Sequence, residues 1–192
     1  MVNCAGISYG KKFDEYEERG WDRVMNTNLT SQFFLIQKLI PRLHGGTIIN
    51  IGSTEAIVAA GAQQYVYNAS KRGVMSLSFQ MQNHVNQYDI NVNTLNIGPF
   101  DTELLRKIDM SPEQNLEWIR EFNPQDRVGY KEDIIGPVIY LSSRAGEYVK
   151  GTTIEVSGGI TSYLGNYMTR RKYLDYEVGD FRDISERKFN EE

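Results

Sequence analysis

A tyrosine and a lysine stand four residues apart at Tyr67 and Lys71, in a segment whose pattern predicts a helix. Residues four apart on a helix share one face, so the phenol and the ammonium would lie side by side. A free tyrosine titrates at about 10, and a fixed positive charge nearby favours the phenolate and lowers that pKa. The spacing is common by chance, but it indicates a tyrosine that can both donate and accept a proton.

Other polar side chains follow the predicted strands closely. Asn3 closes the first strand, Ser53 follows the second by two residues, and Thr102 follows the third. Because the carboxyl ends of parallel strands meet at one edge of a sheet, these side chains are expected to share that edge. Taken singly, each has a plainer interpretation as a cap, a turn residue or a packing residue.

The elements that would position these residues alternate along the chain. Short apolar runs at residues 1–4, 47–51, 90–97 and 152–156 predict strands. Amphipathic stretches predict helices over 18–43, 65–88, 102–122 and 131–143, the last interrupted at Gly136-Pro137. Strands separated by helices of this length imply parallel pairing, so the predicted fold class is α/β with a parallel sheet.

Composition excludes several function classes for this chain of 192 residues. The net charge is −4 and the basic residues are scattered, which argues against a nucleic-acid surface. No apolar run is long enough to cross a membrane. The single cysteine, Cys4, and the two separated histidines predict neither an internal disulfide nor a metal site. A cytoplasmic enzyme or binding domain is therefore expected.

Six ordered motifs resemble the classical short-chain dehydrogenase/reductase family. They are Asn3-Cys4-Ala5-Gly6 with Cys4 in place of an asparagine, Asn28, Ser53, the pair Tyr67 and Lys71, Gly98-Pro99 with Thr102, and the stretch from Gly151 to Gly159 with Ser157 where aspartate is usual. The resemblance spans about residues 1–161. It is nearest to gluconate and 2-deoxygluconate dehydrogenases and to 3-oxoacyl-acyl-carrier-protein reductases.

The resemblance implies the carboxyl-terminal part of a Rossmann-type doubly wound parallel sheet that lacks the first three strands. Residues 1–162 would form the domain, with a substrate lid at about 100–125, and residues 163–192 a carboxyl-terminal extension. No Gly-rich phosphate-binding turn precedes Asn3. The chain is therefore expected to be a fragment or the product of a misplaced start, and to bind dinucleotide poorly.

The resemblance also implies roles for the four catalytic candidates. Tyr67 would exchange a proton with the substrate oxygen, and Ser53 would orient that oxygen, with Thr54 as a weaker candidate. Lys71 would lower the pKa of Tyr67 and bind the nicotinamide ribose. Asn28 would hold a water that relays protons from Lys71 to solvent.

The implied cofactor is NAD or NADP. Tyr67 and Lys71 would contact it, Gly98 and Thr102 would seat its carboxamide, and Asn3, Ala5 and Gly6 would line its adenosine side. No metal is expected.

The implied reaction interconverts a secondary alcohol and a ketone on a small hydroxy or keto substrate. A sugar acid such as gluconate or deoxygluconate is favoured, and a 3-oxoacyl thioester is an alternative. Basic residues near the lid would meet an acidic substrate or would simply be solvated; they are Arg106, Lys107, Arg120 and Arg127.

Two other functional classes stay open for this chain. They are an inactive remnant or binding protein of the same fold, and a sugar-nucleotide epimerase or dehydratase of the extended branch. The resemblance further implies a homodimer or homotetramer formed through the two long helices.

Overall fold

In a computed structural model of the protein, the described residues include four parallel strands in the order β1-β2-β3-β4. The strands are β1 (Val2–Asn3), β2 (Thr47–Ile51), β3 (Asn91–Ile97) and β4 (Thr153–Val156). The structure describes residues 1–58, 63–106, 119 and 123–162. The register pairs Val2 with Ile49, Thr47 with Asn91 and Thr94 with Thr153. The predicted parallel α/β sheet is therefore confirmed.

Helices connect these strands. They are α1 (Glu18–Met25), α2 (Ser31–Leu39), α3 (Tyr65–Val85), α4 (Glu103–Arg106) and α5 (Lys131–Ser142). Short 3-10 turns lie at Phe13–Glu15, Ile40–Arg42, Thr54–Ala56, Asn86–Tyr88 and Arg144–Gly146. A π-helical turn, Asn26–Thr30, joins α1 to α2, and the Ser31 N–H bonds to the Asn26 carbonyl five residues earlier. The helix predicted over 18–43 is thus two α-helices with a π turn between them.

Both faces of the sheet are covered, as parallel sheets require. Successive side chains of a strand point to opposite faces, so the neighbours Ile48 and Ile49 enter different cores. Ile48 packs with Met81 and Val85 of α3. Ile49 packs with Leu141 of α5 on the other face. This two-sided burial explains why isoleucine fills three of the five positions of β2, on both faces of the sheet.

Helix α5 corrects one expectation. It runs without interruption from Lys131 to Ser142 although Pro137 lies inside it. Proline removes one helical hydrogen bond, at a cost of about 3 kcal/mol in a helix interior. Ile134, Val138 and Leu141 pack against the sheet from this helix and offset that cost. The predicted break at Gly136-Pro137 is therefore wrong.

A chain of side-chain amides fixes α3 on the sheet. Asn3 Nδ2 donates to Asn50 Oδ1 at 2.7 Å, and Asn50 Nδ2 donates to Ser78 Oγ at 2.9 Å. All three residues are buried, where unpaired amides would be costly. The bonds run from β1 through β2 to the middle of α3, so they set the position of the helix that carries Tyr67.

A second group of amides links β3 to the chain around β4. Asn93 Nδ2 donates to the Val149 carbonyl at 2.7 Å, and Asn93 Oδ1 accepts from Thr152 N–H at 3.0 Å. Asn96 Nδ2 donates to Glu155 Oε1 at 2.9 Å. Polar side chains therefore pair these strands in addition to the backbone ladder.

Several predicted segments fall outside the described residues. Within the helix predicted over 102–122, the structure describes α4 and residues 102 and 119. Most of the lid predicted at 100–125 also lies outside the described residues. The extension predicted over 163–192 also lies outside the described part. Residues Met1–Thr161 form one compact unit. Within the described residues, no helix is both long enough and apolar enough to cross a membrane.

Candidate active site

Tyr67 and Ser53 meet at the carboxyl edge of the sheet. Tyr67 is the third residue of α3, and Ser53 lies two residues after β2. Ser53 caps the short turn Thr54–Ala56 by accepting from Glu55 N–H at 3.2 Å. Burial raises the pKa of Tyr67, and a hydrogen bond with the Ser53 side chain opposes that rise. Ser53, rather than Thr54, is thus the partner of Tyr67.

Lys71 lies one helical turn beyond Tyr67 and is only 3% exposed. Its Nζ donates to the carbonyl of Ile51, the last residue of β2, at 2.8 Å. The same Nζ lies 5.8 Å from the centroid of the Tyr67 ring. Burial lowers the pKa of Lys71 to about 8, because desolvation disfavours the ammonium.

The expected lowering of the Tyr67 pKa is not what the structure gives. Burial is the largest influence and raises that pKa, and the charge of Glu55 raises it further. The spacing of Tyr67 and Lys71 predicted their proximity correctly, but burial acts on both groups and favours their neutral forms. A linear sequence carries no direct signal of that burial.

Asn28 is fully buried in the π turn and holds the loop after β1. Its Oδ1 accepts from Ile7 N–H at 2.8 Å, and its Nδ2 donates to the Ile7 carbonyl at 2.9 Å. Nδ2 also donates to Ser70 Oγ at 3.0 Å, next to Lys71 on α3. Sequence reasoning missed Ser70, although its place between Tyr67 and Lys71 is a usable signal. The proposed water relay through Asn28 stays a prediction.

Gly6 brings the loop against this cluster. A Cβ atom at Gly6 would lie 3.5 Å from Lys71 Nζ and 3.7 Å from Asn28 Oδ1. A larger side chain would therefore fill the space beside the ammonium. Ala5 is exposed on the same loop. Asn3 differs, because its side chain is buried in the sheet and bonded to Asn50.

Gly98 and Thr102 belong to the chain that leaves β3. A Cβ atom at Gly98 would lie 3.0 Å from Ser157 Cα and 3.1 Å from the Ser157 carbonyl oxygen, so glycine permits this close approach. Thr102 is exposed, and its Oγ1 accepts from Leu105 N–H at 3.3 Å at the start of α4. The structure gives neither residue a contact with Tyr67 or Lys71.

A pocket of about 250 Å³ lies beside Gly98 and Ser157, and Arg127 and Asp133 line it. None of the four predicted catalytic residues lines this pocket. Arg127 Nη1 and Nη2 donate to the two carboxylate oxygens of Asp133 at 2.6 and 3.0 Å. The hydrogen bond from Arg127, with a second from Tyr130 N–H, lowers the pKa of Asp133 to about 2. Arg127 is therefore the ion-pair partner of Asp133.

Comparison with known proteins identifies the family of the chain. Residues 1–161 match the family model described as Enoyl-(Acyl carrier protein) reductase. The chain is 36% identical over 166 residues to the rhamnolipids biosynthesis 3-oxoacyl-[acyl-carrier-protein] reductase of Pseudomonas aeruginosa, covering 83% of this chain and 64% of that protein. It is also 36% identical over 163 residues to the 2-dehydro-3-deoxy-D-gluconate 5-dehydrogenase of Escherichia coli, with the same coverage of 83% and 64%.

A solved structure gives the same result for the fold. The gluconate 5-dehydrogenase of Burkholderia cenocepacia, in complex with NADP and tartrate, superposes with a TM-score of 0.77 at 34% identity. That superposition covers 85% of this chain and 64% of the solved chain. The four-stranded sheet is therefore part of a Rossmann-type fold, and the chain spans about 64% of the length of the curated relatives it matches. By this match over residues 1–161 and these identities, the chain belongs to the short-chain dehydrogenase/reductase family.

Proposed function

We propose that the chain carries the proton-transfer part of an NAD(P)-dependent oxidoreductase that interconverts a secondary alcohol and a ketone. The observation that carries this proposal is the contact of the half-buried Tyr67 with Ser53, one helical turn from the buried ammonium of Lys71. A phenol, a hydroxyl and an ammonium in this arrangement can bind a carbonyl oxygen and move a proton to it. No protein nucleophile is required.

The pKa shifts assign a state to each group at neutral pH. Tyr67 has a raised pKa and stays protonated, which is the state that donates a proton to a ketone oxygen. Ser53 donates to the same oxygen and orients it for that transfer. Lys71, with a pKa of about 8, remains mostly charged at pH 7 and favours negative charge that develops beside it. The site is thus prepared for reduction, and oxidation would be favoured at higher pH.

The residues fit a nicotinamide dinucleotide. Among the described residues, Lys71 Nζ has a single hydrogen-bond acceptor, Ile51 O, so it retains N–H groups for the ribose hydroxyls. Gly6 leaves space beside that ammonium. When bound, the coenzyme would supply or accept the hydride. Asn3, Ala5 and Gly6 are proposed to line its adenosine side and Gly98 and Thr102 its carboxamide. NADP in the Burkholderia cenocepacia relative supports this class of coenzyme, and NAD is the alternative.

Two substrate classes follow from the relatives. One is a sugar acid such as gluconate or deoxygluconate, as the names of the Escherichia coli and Burkholderia cenocepacia proteins suggest. The other is a 3-oxoacyl thioester, as in the Pseudomonas aeruginosa protein. We favour the sugar acid, and the similarities to known proteins support both substrate classes.

A panel of reactions tests the proposal. The purified 192-residue chain is assayed with NADPH and NADP, and with NADH and NAD, against gluconate, 2-deoxygluconate, their keto forms and an acetoacetyl thioester. Coenzyme binding is measured in parallel by quenching of Trp fluorescence. Turnover of sugar acids supports the first class, and turnover of thioesters alone supports the second. Coenzyme binding with no turnover of any ketone or alcohol contradicts the enzymatic proposal and favours a binding protein of the same fold.

We also propose that the protein assembles as a homodimer or homotetramer. Large apolar side chains are exposed on α2 and α3, among them Phe34 at 50%, Leu35 at 47% and Phe79 at 46%. Exposed apolar patches of this kind commonly form interfaces between subunits. Light scattering after size-exclusion chromatography tests this, and the variant Phe79→Glu is expected to shift the mass toward that of a monomer. A monomeric wild-type chain would contradict the proposal.

A further inference from the structure

The start of helix α3 has no side-chain cap of its own. Gln64 occupies the N-cap position and makes no capping hydrogen bond. The first N–H groups of a helix have no partner within the helix, so each needs an acceptor from elsewhere. Val66, the second residue of α3, donates its N–H to the hydroxyl of Tyr16 at 3.4 Å. Val66 is 0% exposed, so water cannot readily take over this contact.

The Tyr16 hydroxyl also holds the loop between β1 and α1. It donates to the Tyr9 carbonyl at 2.6 Å while it accepts from Val66. Its ring makes edge contacts with the rings of Tyr9 and Tyr65, at centroid distances of 5.2 and 5.6 Å. Burial raises the pKa of Tyr16, so the hydroxyl stays neutral and keeps its donor role. One hydroxyl therefore bridges the loop and the helix.

Two further contacts tie the same loop down. Ser8 Oγ bonds to the side chain of Gln64, directly before α3. Asn28 holds both backbone groups of Ile7. The loop is thus fixed on one side by the π turn and on the other by the start of α3. Of these contacts, the Tyr16 hydroxyl alone reaches the backbone of the residue that precedes Tyr67.

We infer that Tyr16 is a positioning residue whose hydroxyl caps helix α3 and thereby holds Tyr67 against Ser53. The first turn of α3 carries both Val66 and Tyr67, so its backbone direction sets where the Tyr67 hydroxyl lies. A helix start that lacks this acceptor would fray, and the contact with Ser53 would loosen. The consequence for catalysis rests on the proposed function, whereas the structural coupling does not.

The test uses the full chain and the variant Tyr16→Phe, which keeps the aromatic contacts and removes only the hydroxyl. Tyr148→Phe is the matched control, because Tyr148 is 100% exposed. Hydrogen exchange is followed by mass spectrometry on peptides that cover the loop, the start of α3 and the end of α3. We expect exchange to speed up by about 3- to 10-fold at residues 7–10 and 65–70, the amount that loss of one or two hydrogen bonds produces. Residues 74–85 should keep their wild-type rates.

A second measurement separates positioning from simple stabilisation. The phenolate absorbance of wild type minus Tyr67→Phe isolates the titration of Tyr67. The same difference taken in the Tyr16→Phe background should move that titration toward the ordinary value, because a loosened helix start admits water to Tyr67. A cap that only stabilised the fold would leave the Tyr67 titration unchanged.

The outcomes distinguish this inference from the proposed function. Where the chain turns over substrate, Tyr16→Phe should lower kcat by about 3- to 10-fold while the KM for coenzyme stays near wild type. Full turnover by Tyr67→Phe would overturn the proposed function, and the exchange result would still stand. Exchange rates and a Tyr67 titration that match those of Tyr148→Phe would overturn the inference, whatever the turnover.

Discussion

Two polar clusters lie at the carboxyl edge of one sheet. Within the part of the chain that the structure describes, one buries a positive charge without a countercharge, and the other pairs two opposite charges. The Tyr67 cluster, with Ser53, Asn28 and Lys71, buries an ammonium that no carboxylate among the described residues neutralises. The Arg127–Asp133 pair sets opposite charges together with side chains 38% and 33% exposed. Burial moves the pKa of Tyr67 up and of Lys71 down, toward neutral forms. Pairing moves the pKa of Asp133 down and of Arg127 up, toward charged forms.

The difference lies in how firmly Lys71 and Asp133 are each held in one protonation state at neutral pH. A proton moves easily only between groups whose charged and neutral forms are close in free energy. Burial without a partner brings Lys71 toward that condition, whereas the ion pair takes Asp133 away from it. The pocket beside Arg127 is therefore weaker support for catalysis than the Tyr67 cluster.

The largest effect on turnover is expected from a variant that removes the Tyr67 hydroxyl. Tyr67→Phe removes the proton donor but keeps the ring, so turnover should fall by at least about 100-fold. The thermal midpoint should change little, because the hydroxyl bonds mainly to Ser53. Steady-state assays with the best substrate of the panel measure the effect. Tyr65→Phe, two residues earlier on an exposed ring, is the control, and equal activity loss in both variants would remove the special role of Tyr67.

The next effect concerns stability rather than chemistry. Asn28→Ala deletes the three hydrogen bonds of a fully buried amide. Ile7 loses the partner of its N–H and of its carbonyl, whereas Ser70 Oγ keeps its bond to the Tyr67 carbonyl. The free energy of unfolding should fall by about 2–4 kcal/mol, as measured by urea denaturation. Asn26→Ala, an exposed position in the same π turn, should change it by less than about 1 kcal/mol. Equal losses for both would mean that the turn itself, not the amide contacts, holds the loop.

A third prediction uses the buried ammonium. Lys71 has a folded pKa of about 8 against an ordinary value of 10.5, so the unfolded chain binds more protons between these two pH values. The free energy of unfolding contributed by Lys71 is therefore reduced below pH 8 and recovers as pH rises toward about 10.5, by a total on the order of 3 kcal/mol. The difference between wild type and Lys71→Met in urea denaturation from pH 7 to 10 isolates this contribution from that of Tyr67. A difference independent of pH would show that Lys71 is not desolvated.

The smallest effect is expected at the exposed ion pair. Asp133→Asn should lower the thermal midpoint by no more than about 3 °C, since exposed pairs contribute little. Asp133 has a depressed folded pKa of about 2, so its contribution is present above its ordinary value of 3.8 and is lost as pH falls toward 2. Thermal scans of wild type and variant from pH 2 to 7 measure it, with Glu132→Gln beside it as the control. A loss of turnover in Asp133→Asn with an unchanged midpoint would contradict the contrast between the two clusters.

The sequence supported the positions of all four strands and of the two long helical regions, because apolar periodicity is local information. The ordered motifs also predicted correctly that Ser53, Tyr67 and Lys71 lie close together. The Pro137 helix was mispredicted because packing on the sheet, a tertiary effect, outweighs the local preference of proline. The direction of the Tyr67 pKa was missed for a similar reason, since burial depends on the whole fold.

Other features had no clear local signal. The π turn that carries Asn28 looks like ordinary helix in the sequence, and the Tyr16–Val66 contact joins residues fifty apart. Asn3 stays a proposed coenzyme neighbour, but the bond of its side chain to Asn50 within the sheet was not predicted. Such contacts depend on how the loop after β1 folds back, which spacing along the chain does not encode.

The side-chain amides of β3 have a consequence for the register of β4. A slip of β4 by two residues along β3 would keep the inward and outward alternation of side chains intact, so hydrophobicity alone discriminates weakly against it. Such a slip would separate Asn93 from Val149 and Thr152, which leaves its buried amide unpaired. It would also separate Asn96 Nδ2 from Glu155 and leave it only the weak acceptor Met75 Sδ. Each orphaned group costs about 1–3 kcal/mol. The amides therefore favour the native register of β3 and β4 over a register that is shifted by two residues.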